Sequence, residues 1–236
     1  MEPSTLMTKS EPFLRYLAGW EAALPEADLA GLAPEMGRMA IISVDVINGF
    51  CYTGPLASPR IQRIVGPIVS LFERAHAAGV QHFVLAQEAH EPDAVEFAQY
   101  PPHGVKETDE AEAVPEFKAL PFYGDMVVVP KNSIHPALNT RLEAWLQDHP
   151  QVDTFIVVGD CTDLCTYQLA MHLRLRANAH QLHQRVILPV NCTDTFDLPV
   201  EAAQMIGAVP HDGDLLHLVF LYSMMLNGVE VVRSIH

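Results

Sequence analysis

Basic residues are scarce: fourteen Lys and Arg stand against twenty-nine Asp and Glu, a formal net charge of −15 over 236 residues. A chain this acidic repels a phosphate backbone, so no nucleic-acid partner is expected. Long apolar runs are scarce too. The longest near the C-terminus, Leu215 to Leu226, is interrupted by His217 and falls short of the roughly 20 residues a membrane helix needs. Met1 to Tyr16 mixes Glu2, Lys9, Glu11 and Arg15 with apolar residues and lacks an apolar block followed by a small-residue cleavage site. The expectation is a cytoplasmic protein that does not engage a membrane. Cysteine is limited to Cys51, Cys161, Cys165 and Cys192, and in that compartment thiols are expected rather than disulfides. What the chain does have is 49% hydrophobic and only 18% charged residues, enough to build a large core and avoid disorder.

From residue 39 onward, short β-branched runs alternate with segments of helical periodicity. Met39–Val46, His82–Glu88, Asp125–Lys131, Thr154–Asp160, Arg185–Asn191 and Glu230–Ile235 read as strands. Ile61–Ala78, Ala137–His149, Leu164–His180 and Leu215–Asn227 repeat apolar residues three and four apart and read as helices with one buried face. Such alternation predicts an α/β fold, a three-layer α/β/α sandwich around a six-stranded, mainly parallel sheet. Runs such as Ile41-Ile42-Ser43-Val44 are nearly continuous, as in a strand covered on both faces. Two segments stand outside the rhythm. Residues 1–38 form an N-terminal extension with a predicted helix over Phe13–Leu24. Residues 89–124, within the main domain 39–236, make a connection of the length found in lids and binding loops.

Ligands of open parallel sheets sit at the carboxyl ends of the strands. There the sequence places Asp45, then Glu88 and His90, then Lys131, then Gly159-Asp160-Cys161-Thr162-Asp163-Leu164-Cys165. Cys165 opens a predicted helix, where free N–H groups and the helix dipole favour a thiolate; the bland alternative is a small buried hydrophobe. Asp45 is a candidate general base if burial raises its pKa, against a turn cap. Lys131 would place positive charge beside both, against a solvated lysine. Glu88 and His90, with His103 further along, offer a carboxylate and two imidazoles suited to a divalent ion, against surface histidines in a chain that has twelve. Cys161 and Cys165 do not have C-x-x-C spacing, which argues against a redox pair. Asn191 to Asp194 reads as a turn, His211, Asp212 and Asp214 as the start of the last long helix, and His135 and His217 as incidental.

Taken together, Asp45-Val46-Ile47-Asn48-Gly49-Phe50, Lys131 and the 159–165 segment resemble the isochorismatase-like cysteine hydrolases, which include nicotinamidases. The first is similar to D-V-Q-N-D-F, with Ile47 and Gly49 as departures. The last is similar to G-V-A-T-D-x-C, with Asp160 and Cys161 replacing smaller apolar residues. The resemblance implies an Asp45–Lys131–Cys165 catalytic triad, an oxyanion hole from the backbone N–H groups of Cys161 and Cys165, and a cis peptide joining Asp160 to Cys161. It also implies a metal set in which Glu88 takes an aspartate's position, with His90 and His103; Ala89 and Ala94 replace the family's tryptophan and middle histidine. One divalent ion (Zn, Fe or Mn), no organic cofactor and a homo-oligomer follow from the same likeness.

The expected activity is a cysteine-dependent amidohydrolase acting on a small amide, nicotinamidase-like, through a thioester. Two alternatives remain open: a metal-independent hydrolase of an N-carbamoyl or ureido compound, and a non-catalytic binding or assembly protein on the same scaffold.

Overall fold

The computed structural model describes residues 2–33 and 35–236. Its strands are β1 (Met39–Val44), β2 (His82–Glu88), β3 (Val127–Lys131), β4 (Thr154–Gly159), β5 (Arg185–Pro189) and β6 (Glu230–Val232). They form one sheet in the order β3-β2-β1-β4-β5-β6, with every adjacent pair parallel. The helices of more than one turn are α1 (Pro3–Ala22), α2 (Pro59–Ala77), α3 (Leu142–Asp148), α4 (Cys165–Ala179), α5 (Val200–Ile206) and α6 (Gly213–Leu226).

Successive strand side chains point to opposite faces, and the core divides accordingly. Ile41, Leu85, Ile156 and Ile187 pack against Ile64, Ile68 and Phe72 of α2. Ile42, Val84, Val157 and Leu188 pack on the other face against Trp145 of α3, Leu169 of α4 and Leu221 of α6. Helix α2 starts where Ser58 Oγ accepts the Arg60 N–H and Pro59 fills the first turn. The three layers are those expected, with a sheet parallel throughout. Among the described residues no helix is long and apolar enough to cross a membrane, and all four cysteines are free and buried.

Several boundaries differ from the sequence reading. Strand β1 stops at Val44 rather than Val46 because Asp45 turns out of the sheet with a left-handed φ of 55°. Strand β4 stops at Gly159, whose φ of 114° would hold a Cβ only 2.0 Å from Val44 O. Strand β5 ends at Pro189 and β6 at Val232, while β3 begins at Val127. Helix α1 begins at Pro3 rather than Phe13 and packs through Phe13, Tyr16 and Trp20 around Tyr222 of α6. Residues 137–141 are not helical; Thr140 Oγ1 accepts the Leu142 N–H where α3 begins. Helix α5 was not anticipated. The 89–124 connection contains the single-turn helix Pro115–Lys118 and two short 3-10 turns, with a third, Tyr123–Asp125, at its end. It is tied back to the end of β1 by Asn48 N–H to Glu112 O (2.9 Å) and Val114 N–H to Val46 O (3.3 Å).

Candidate active site

Four elements deliver the site. Register pairs Glu88 with Lys131 at the ends of β2 and β3, and Val44 with Gly159 at the ends of β1 and β4. Asp45 follows β1, and its unusual backbone turns the carboxylate sideways, where Oδ1 accepts the Glu88 N–H at 2.8 Å. Lys131 Nζ lies 2.8 Å from Asp45 Oδ2, 3.0 Å from Glu88 Oε1 and 3.6 Å from Cys165 Sγ. The side-chain ligand atoms of Asp45, Glu88 and Cys165 lie within 4.8 Å of one another. Asp45, Lys131 and Cys165, far apart in sequence, therefore meet as the strand-end reading expected. All three are buried, at 0%, 1% and 5% exposure.

Burial dominates the electrostatics. It raises the Asp45 carboxyl to about 6, against the lowering pull of Lys131. For Lys131 burial works the other way, but Asp45, Cys165 and Glu88 outweigh it and hold the ammonium protonated. Burial also pushes the Cys165 thiol well up; Lys131 opposes this, while Asp45 and Glu88 add to it. The sulfur rests as a thiol, not the thiolate the helix terminus alone would favour. Any nucleophilic attack must pass its proton to a neighbour, and Asp45 is the neighbour poised near neutrality.

The Asp160–Cys161 peptide is cis. Around it the amides of Thr162, Leu164 and Thr166 are committed to Asp194 O, Cys161 O and Cys161 O. Neither the Cys161 nor the Cys165 N–H has a protein acceptor among the described residues. Asp160 is buried beside this turn with Oδ2 unpartnered. Burial, then Asp45 and Glu88, raise its carboxyl well above the usual range, so it is neutral.

The second cluster adjoins the first through Glu88. His90 N–H donates to Gly104 O (2.9 Å) and Lys106 N–H to His90 O (3.0 Å), which brings His103 across from His90, with ring centres 4.9 Å apart. His103 Nε2 and His90 Nε2 lie 3.1 and 3.4 Å from Glu88 Oε2. Their Nδ1 atoms face Pro101 O (2.8 Å) and Asn132 Oδ1 (3.1 Å), both acceptors. Each Nδ1 thus carries a hydrogen, and in the neutral rings each Nε2 presents a lone pair to the carboxylate. Burial pushes Glu88 up, but Lys131, His103 and His90 outweigh it and keep it ionised.

Glu88 Oε2 and His90 Nε2 lack a hydrogen-bond partner; a cation between rings and carboxylate, or a proton on Nε2, would satisfy them. Although burial lowers the pKa of His90 and His103, Glu88 outweighs it and raises both. Glu96 Oε1, 4.0 Å from His90 Nε2, completes a four-residue group whose ligand atoms lie within 4.8 Å of one another. The sequence reading missed Glu96 by looking for a ligand at position 94. It also missed Asn132, which orients His90.

Two residues read as helix start or incidental also reach the turn after β4. His211 Nε2 lies 2.8 Å from Asp163 Oδ2, and His217 Nδ1 lies 2.7 Å from Thr162 Oγ1. Asp212 and Asp214 do sit at the start of α6, Asp212 as its cap.

The model of the isochorismatase domain family matches residues 39–209. Nicotinamidase 1 of Arabidopsis thaliana is 30% identical over 218 residues, which cover 84% of this chain and 86% of that protein. Among solved structures, N-carbamoylsarcosine amidase from Thermoplasma acidophilum superposes with a TM-score of 0.62 at 21% identity, covering 83% of this chain and 96% of that one. Pyrazinamidase of Pyrococcus horikoshii in complex with zinc superposes with a TM-score of 0.63 at 21% identity, covering 83% and 99%. At these identities the two superpositions speak for the fold alone.

Proposed function

The chain belongs to the isochorismatase family, and on that premise we propose that it is a cysteine amidohydrolase of nicotinamidase type, acting on a small amide through Cys165. The observation that carries this reading is the contact of Lys131 Nζ with both Asp45 Oδ2 and Cys165 Sγ. As Cys165 Sγ bonds to the amide carbon, its proton passes to the Asp45 carboxylate, the negative charge moves to the carbonyl oxygen, and the Lys131 ammonium beside both Asp45 and Cys165 holds them in place for the transfer. The carbonyl oxygen takes the negative charge and accepts the N–H groups of Cys161 and Cys165; one such donor is worth about 100- to 1000-fold in rate. Collapse breaks the C–N bond while Asp45 returns the proton to the departing nitrogen. Water, deprotonated by Asp45, then cleaves the thioester and restores the thiol. A group with a pKa of about 6 suits both directions of transfer.

The donor set of the second cluster fits a divalent cation: two imidazoles with tautomers fixed by outer partners, and two carboxylates. Glu88, His90, Glu96 and His103 would hold it. A bound ion would supply Lewis-acid polarisation of an atom of substrate or water. A second reading, hydrolysis of an N-carbamoyl or ureido C–N bond without metal, is favoured by Lys131 at 3.0 Å and His103 at 3.1 Å from Glu88. Protonated imidazoles would satisfy that carboxylate as an ion does.

Ammonia release from a panel of small amides tests the activity. Cys165→Ala should fold normally and lose at least about 1000-fold in turnover, and a folded variant with full activity would remove the nucleophile assignment. Elemental analysis separates the two readings. The first expects about one divalent ion per chain, lost in His103→Ala, and the second expects none.

A further inference from the structure

The turn that carries Cys165 is gripped from behind by a histidine that the proposed chemistry does not use. Asp163, two residues before Cys165, is buried, and its carboxylate is fully engaged. Oδ1 accepts Thr195 Oγ1–H at 2.6 Å, and Oδ2 faces His211 Nε2 at 2.8 Å. The other ring nitrogen, His211 Nδ1, lies 2.9 Å from Phe196 O, and the Phe196 ring stacks on the imidazole at 3.8 Å. A carbonyl oxygen only accepts, so Nδ1 must donate. A carboxylate only accepts, so Nε2 must donate as well. Only the imidazolium has both hydrogens; a neutral ring would turn a lone pair toward Asp163.

We propose that His211 is a positioning residue: as an imidazolium it fixes Asp163 and thereby the Cys161–Cys165 turn that presents the sulfur and the two free N–H groups. The inference rests on the amidohydrolase reading for its effect on rate. The charged groups facing His211 are Asp163 from the turn after β4 and Asp197 from the segment after β5. Arg60 of α2 is committed to Asp194 and Asp214, and His217 of α6 to Thr162. Burial lowers the His211 pKa, but Asp163 and Asp197 outweigh it and the net shift is upward. Asp163 is correspondingly held below the usual carboxylate range by His211 and Thr195, against burial. A histidine raised in the folded state keeps its pairing below that pKa and loses it as pH rises through it. The clamp therefore opens on the alkaline side.

The test measures kcat and KM for ammonia release from about pH 6 to about pH 9, with melting temperatures, for the native protein, His211→Gln and His211→Arg. The native profile should fall on its alkaline side. In His211→Gln that fall should be absent and kcat about 10- to 100-fold lower at the native optimum, with KM changed less than kcat. His211→Arg, which keeps a charge and paired donors, should recover part of the lost kcat with no alkaline fall. An alkaline fall that persists in His211→Gln overturns the inference, as does a kcat loss matched by a lowered melting temperature and not rescued by Arg. If the native protein hydrolyses no amide, the functional reading fails, and NMR titration of His211 decides separately. A lower midpoint in Asp163→Asn supports the clamp, and an unchanged midpoint overturns it.

Discussion

Asp160 is placed at a cost to folding that the site's chemistry does not use. Its carboxyl is buried next to Asp45 and Glu88, with one oxygen unpartnered. A raised carboxyl pKa opposes folding at any pH above the unfolded value, because the unfolded chain gives up a proton that the folded one retains. Asp160→Asn should therefore raise stability near neutral pH by about 1–2 kcal/mol. The gain should shrink as pH falls toward 3.8, where the unfolded carboxyl is also protonated. Thermal melts at neutral and acid pH check this, and an equal gain at both would contradict it. Asp45 and Lys131 were legible because each directly follows or ends an apolar run, where a parallel sheet exposes its functional edge, and Cys165 because it opens the helix after the turn that leaves β4. Glu96 was not, because its place depends on the path of a connection without periodicity. His211 was not, because its partner Asp163 is 48 positions away and no spacing rule links them.

Element ends carry the geometry that makes the site, and they were the least legible part of the sequence. The apolar runs located all six strands, but hydropathy alone carried β1 past Asp45 and β4 past Gly159. The chain leaves the sheet at those points through backbone conformations that hydropathy does not encode. Glycine at 159 answers two demands, a positive φ and contact with Val44 O on β1. Gly159→Ala would place a methyl group 2.0 Å from that oxygen, so β1 and β4 must separate or the turn must rotate. The expected cost is at least about 3 kcal/mol, read as a fall in denaturation midpoint, with amidase activity lost in whatever fraction remains folded. A variant as stable as the native chain would mean that β1 and β4 tolerate separation there.

At the scale of the whole molecule, the alternation of strand and helix was sufficient for the architecture. Each parallel connection needs a crossover, and each crossover helix covers a sheet face. The sequence pattern does not say which helix covers which face. The structure assigns α2 to one side and α3, α4 and α6 to the other, and the site forms where β1, β2, β3 and β4 end together. The extension before residue 39 was read as a helix of unknown placement and proves to pack its aromatic side chains on α6. The proposed chemistry depends on that assembled edge, and its central claim is that an acyl group passes through the sulfur of Cys165. Rapid acid quench during turnover of a hydrolysable amide, followed by intact-mass and peptide analysis, reads this directly. The account predicts an adduct with the mass of the acyl group, without the departing nitrogen, on the peptide containing Cys165 and absent from Cys165→Ala. Steady turnover with no such adduct, together with undiminished activity in Cys165→Ala, would contradict it.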